Sequence, residues 1–149
     1  MPCHTSFARP RGARQCRRRG SYCPDVSPAH SKSEAVTQAL AALDQGVEPE
    51  RPVLRDAVRA LLTELSRRAP GRSVEVRIPP FGAIQCVPGP RHTRGTPPNV
   101  VETDPVTWIL LATERVSWAD AVRDGRLRAS GIRTDLTEFL PLDAAPAED

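Results

Sequence analysis

The chain has 149 residues, 39% of them hydrophobic, and a formal charge of +3, which suits one domain with a genuine core and two tails. No apolar run approaches the roughly 20 residues that cross a bilayer, and residues 1–30 lack the apolar stretch of a secretory signal, so the expected compartment is the cytoplasm and membrane insertion is not expected. Four cysteines (Cys3, Cys16, Cys23, Cys86) are too few and too scattered for a disulfide scaffold.

Residues 1–30 carry six arginines against one acid, Asp25, so the basic balance belongs to this segment and the remainder is nearly neutral. Its Arg, Pro, Gly and Ser content without apolar periodicity predicts a disordered basic extension. Arg17, Arg18 and Arg19 can meet phosphates, but no aromatic platform is interleaved with them, and nucleic acid is not the expected partner. Cys3, His4, Cys16 and Cys23 lack the close pairing of structural zinc sites, so no metal is expected.

From Ser31 the pattern turns helical. Ser31 and Glu34 resemble a capping box, Ala35, Val36, Ala39, Leu40 and Leu43 follow at helical spacing, and Gly46 closes the element. Pro52 suits the first turn of a second helix whose Leu54, Val58, Leu61, Leu62 and Leu65 form an apolar stripe, ended by Pro70-Gly71. The period then falls to two: Val74, Val76 and Ile78 alternate with polar residues, which predicts a half-buried strand. Pro79-Pro80 interrupts it, Gly82–Val87 reads as a second strand, Pro88-Gly89-Pro90 as a turn and Asn99–Glu102 as a third strand. Asp104-Pro105 starts a third helix with Val106, Ile109, Leu110 and Leu111 on its buried side and Trp108 among them. Ser117 opens a fourth, through Trp118, Ala121 and Val122 to Gly125; a brief strand Arg126–Ser130 follows, with Leu127 and Ala129 on one face. Thr134 or Asp135 caps a last turn bearing Leu136, Phe139 and Leu140, and residues 143–149 form a solvated acidic tail.

Two residue sets stand out. Leu54, Val58, Leu61, Leu62, Phe81, Ile84, Trp108, Leu111, Phe139 and Leu140 can line an apolar cavity or fill a core; pattern alone does not choose. Arg91, His92, Arg94, Asn99, Glu102 and Asp104 lie on or beside a loop stiffened by prolines, which lowers the entropy lost on presenting them. Arg91 and Arg94 suit a carboxylate or phosphate headgroup and His92 adds a donor, or the arginines pair with acids and organise the sheet edge. Cys86 and His92 are six apart across a turn, but Cys86 sits in an apolar strand and no oxyanion element accompanies it. With no phosphate-binding loop, dinucleotide fingerprint or zincin motif either, no catalytic residue and no cofactor is expected.

The segment from Thr103 to Leu142, with its acid-capped helix, Ala121, Gly125, strand and Gly131, resembles the end of the sterol carrier protein domain. More narrowly, SVEVRIPPFGAIQC and GPRHTRGTPPNVVETDP are similar to the actinobacterial branch described as bacterial orthologues of those proteins, over about Pro52 to Leu142. The resemblance implies an α+β domain over residues 31–142, with a curved, mainly antiparallel sheet of about four or five strands covered by helices. It also implies an apolar cavity between sheet and helices. Glu114 stands where the wider family has glycine, and Ala147-Glu148-Asp149 is not a peroxisomal address. The expectation is a non-enzymatic binding or carrier domain for a lipid or other apolar or amphipathic small molecule. Its contacts would be Leu54, Val58, Leu62, Phe81, Ile84, Trp108, Leu111, Phe139, Leu140, Arg91, His92, Arg94 and Asn99. The alternative is a protein–protein interaction module with the same fold and a filled core.

Overall fold

The computed structural model describes residues 32–90 and 98–142. The arm of residues 1–30, the Ser31 cap, Arg91, His92, Arg94 and the tail of residues 143–149 lie outside the described residues. Two helices come first, α1 (Lys32–Asp44) and α2 (Arg51–Arg68). α2 has proline in its first turn, where the missing N–H has no helical partner to lose. Its stripe faces inward, with Leu54, Ala57, Val58, Leu61, Leu62 and Leu65 all buried. α1 packs against α2 and contributes Ala35 and Ala39, both fully buried; their small side chains let the two helices approach closely.

The four strands are β1 (Val74–Ile78), β2 (Gly82–Cys86), β3 (Val100–Thr103) and β4 (Leu127–Ser130), arranged in the order β2-β1-β3-β4. β1 pairs antiparallel with β2 and parallel with β3, and β3 pairs antiparallel with β4, so two seams of three are antiparallel and the domain is α+β with a mixed open sheet. Val76 lies opposite Ile84 on one side and Val101 on the other. On the same face Val74, Ile78, Cys86 and Leu127 are buried in the core. The opposite face carries the row Ala83, Arg77, Glu102, Arg128, one residue from each strand.

Helices α3 (Pro105–Ala112) and α4 (Trp118–Arg123) connect β3 to β4. Asp104 caps α3, its Oδ1 accepting from the Thr107 N–H at 2.9 Å. Ser117 caps α4: its Oγ accepts from the Asp120 N–H at 3.1 Å and donates to the Asp120 carboxylate at 2.7 Å. That hydroxyl, then Arg123, hold the Asp120 carboxyl below its usual range. A 3-10 turn, Thr137–Phe139, follows β4. The chain then crosses back, the Leu142 N–H donating to Ala112 O at 2.7 Å while the Arg68 guanidinium reaches Pro141 O. Leu136 and Leu142 are thereby buried.

Several boundaries differ from the sequence expectation. β2 stops at Cys86 rather than Val87, because Val87 turns to φ 66°, a left-handed backbone that β-branched residues rarely adopt. Its N–H donates to Ala69 O at 2.8 Å and its carbonyl accepts from Ser73 Oγ at 2.8 Å, so the surrounding chain holds it there. β3 starts at Val100 and β4 at Leu127. Val122, expected on the buried side of α4, is 44% exposed; Ala121 is the residue that packs inward. Neither Thr134 nor Asp135 occupies the cap position of the last turn, which is Leu136; Asp135 instead accepts from the Thr137 N–H at 3.0 Å, and that bond lowers its carboxyl pKa.

Candidate functional site

The first turns of α2 and α3 and the link between β1 and β2 meet around an open groove of about 430 Å³. Arg51 and Leu54 come from α2, Pro105 from α3, Pro80 and Phe81 from the link, and Glu48 and Pro49 from the approach to α2. Three prolines add to its apolar surface, Pro49 ahead of α2, Pro80 in the sheet link and Pro105 in the first turn of α3. Phe81 is held from two sides: the Arg51 guanidinium carbon lies 5.9 Å from its ring centroid, and Arg59 Nε donates to its carbonyl at 3.3 Å. The groove thus joins an apolar floor to one guanidinium and one carboxylate at its rim.

The two groove residues named from the sequence are Leu54 and Phe81. Val58, Leu62, Trp108 and Leu111 sit deeper, buried in the core, while Ile84, Phe139 and Leu140 are half-buried and packed against it. Pro49, Arg51, Pro80 and Pro105 were not among the expected contacts. The prolines read as punctuation of helices and strands, and nothing in sequence spacing sets Arg51 over a ring thirty positions on. One polar atom in the interior is conspicuous. Trp108 is 0% exposed, and its indole N–H has no hydrogen-bond partner among the described residues.

At the other end of the sheet, Asn99 is only 6% exposed, and both ends of its amide are committed to backbone. Its Nδ2 donates to Ser73 O at 2.8 Å and its Oδ1 accepts from the Arg133 N–H at 3.2 Å. Gly131 packs so tightly on this staple, at φ 110°, that a Cβ there would overlap Pro98 O and Asn99 Oδ1. Asn99 therefore ties the starts of β1 and β3 to the segment after β4. Glu102 and Asp104, also in the expected polar set, border a second groove of about 340 Å³ with Arg126 and Arg128. Two acids face two arginines there, Asp104 already caps α3, and Arg126 Nε donates to Thr107 Oγ1 at 3.2 Å.

Cys86 is fully buried, and desolvation pushes its thiol up from 9.0 to about 11, so it is neutral at physiological pH. Among the described residues no group of three or more His, Cys, Asp and Glu is arranged to hold a metal ion. No described helix is long and apolar enough to cross a membrane. Glu114 is exposed and adopts φ 54°.

No curated protein matches the chain. Residues 50–142 match the family model described as bacterial SCP ortholog, a span reaching from the start of α2 to the closing Leu142, and the chain belongs to that sterol-carrier-like family.

Proposed function

We propose that the protein is a non-enzymatic cytoplasmic carrier of an apolar or amphipathic small molecule, received between the starts of α2 and α3 and the link from β1 to β2. The observation that carries this reading is the groove of about 430 Å³ with Leu54 at its floor and Phe81 in its wall, a size within the roughly 300–1,000 Å³ typical of small-molecule sites. Membership of a lipid-carrier-type family supports it. So does Arg51, a permanent cation beside an apolar surface, which suits an anionic headgroup on a greasy body. The neutral, buried Cys86 argues against thiol chemistry.

Native mass spectrometry of protein purified from bacterial cells, combined with thermal shift, tests the reading. The expected result is a co-purified small molecule, or a midpoint raised by several degrees with a fatty acid, an acyl-CoA or a sterol, since a ligand at about 100 times its Kd adds about 2.7 kcal/mol. Phe81→Ala should abolish most of that rise. Protein that is always ligand-free and unmoved by all three classes overturns the proposal. The alternative, an interaction module with a filled core, would place Ile132, 97% exposed beside β4, in its contact. In that case a protein partner would be lost with Ile132→Asp and no small molecule would stabilise the chain.

A further inference from the structure

The unpartnered N–H of Trp108 is costly where it lies. A buried donor without an acceptor forfeits about 1–3 kcal/mol of hydration, and replacing the ring by phenylalanine would remove the donor while keeping an aromatic body. Trp108 is the residue whose side chain carries this debt among the described residues, and it is wholly buried. Its place in α3 connects it to the groove. Pro105, which lines the groove, precedes Trp108 by three positions, and Leu54, at the groove floor, precedes Val58 by four on α2. Residues spaced by three or four share a helix face and lie about one turn apart. Val58 and Trp108 therefore lie one turn further along the two helices that frame the opening, and there both are fully buried.

We infer that the groove deepens by one helical turn when a guest enters, and that the Trp108 indole N–H donates to an oxygen at the guest's buried end. This rests on the carrier reading above and narrows it. An indole nitrogen only donates, so the preferred guest carries an acceptor such as a ketone, ester or ether oxygen on its leading apolar end. A plain hydrocarbon end leaves the donor unpaired, and an ammonium cannot pair with it at all. Any anionic group stays at the rim with Arg51, so the molecule selected is polar at the mouth and bears a single acceptor inside.

The test uses the full-length chain labelled with 15N and two probes of equal length, tridecan-2-one and tridecane. The protein has two tryptophans, hence two indole cross-peaks, which Trp108→Phe and Trp118→Phe assign independently, so that either variant suffices. The expected result is that the ketone moves the Trp108 indole proton downfield and the alkane, though bound, does not. In Trp108→Phe the ketone should bind roughly fivefold more weakly, the scale of one neutral hydrogen bond, with the alkane unchanged. Equal binding of both probes with no selective movement of the Trp108 proton overturns the inference but leaves the carrier reading intact. A Trp108 proton that in the ligand-free protein is already downfield and exchanging with a bound water also overturns it. Failure of both probes to bind, with fatty acids, acyl-CoA and sterols failing as well, overturns both.

Discussion

Asn99 illustrates how a polar residue on a candidate binding loop can be wholly occupied by the fold. Its amide satisfies Ser73 O and the Arg133 N–H at once, so Asn99→Ala leaves a buried acceptor unpaired and hands a part-buried donor to water. We expect a loss of about 1–3 kcal/mol, most of it from the buried acceptor, read as a fall in the urea midpoint at unchanged slope. Glu114 gives the opposite sign. At φ 54° a side chain crowds its own carbonyl, and Glu114→Gly should raise stability by a few tenths to about 1 kcal/mol, the strain relieved being partly offset by a more flexible unfolded chain. A decrease would show that the glutamate makes a compensating contact. For Cys86 the fold raises the thiol from 9.0 to about 11. Below pH 9 the proton is bound in both folded and unfolded chains and stability is flat in this group. Between pH 9 and 11 the unfolded chain ionises first, so stability falls as pH rises through that window, by up to about 2.7 kcal/mol at about 1.36 kcal/mol per unit. Cys86→Ala should remove that part of the alkaline loss in a denaturant series, at the expense of a smaller core.

Among the elements, α1 is the informative one because it precedes the matched span of residues 50–142 yet belongs to the core. Ala35 and Ala39 are fully buried and the Arg115 guanidinium pairs with Asp44 at the end of the helix. Ala39→Glu would drive a carboxylate into the α1–α2 contact and is expected to cost more than about 3 kcal/mol; a change below 1 kcal/mol, measured by chemical denaturation, would mean that α1 is not held there. The elements whose identity is decided locally were readable from the chain. Val74, Val76 and Ile78 alternate because one face of β1 is buried and the other is not, and Asp104-Pro105 begins α3 because a carboxylate acceptor and a missing N–H both suit a helix start. The pairing of β1 with β3 was not readable, since parallel register is set by what packs across the sheet rather than by either strand alone. The groove was legible only in part for the same reason. Leu54 and Phe81 stood out as apolar, but their meeting depends on two helix starts and a strand link converging. Val87 escaped because its side chain says strand while hydrogen bonds to Ala69 and Ser73 turn the backbone away.

At the scale of the whole molecule, α2 and α3 converge on one side of a single open sheet, and the other side bears Arg77, Glu102 and Arg128 in one row. Arg77 Nε also lies 2.5 Å from Glu75, an ion pair at a solvent-screened site that adds little to stability. The charged side is thus held by the ladder beneath it rather than by its charges, and stability in 1 M salt should fall by less than about 1 kcal/mol. That small change is checked by repeating the urea titration at low and high ionic strength. The strand order has a kinetic side as well. β1 finds β2 across a short link, a local event on the microsecond scale, but it is enclosed on its second edge only after β3, fourteen positions beyond the end of β2, has been brought round. Until then the newborn hairpin offers a naked valine-rich margin to any neighbouring chain, so yield on refolding should depend on dilution far more than final stability does.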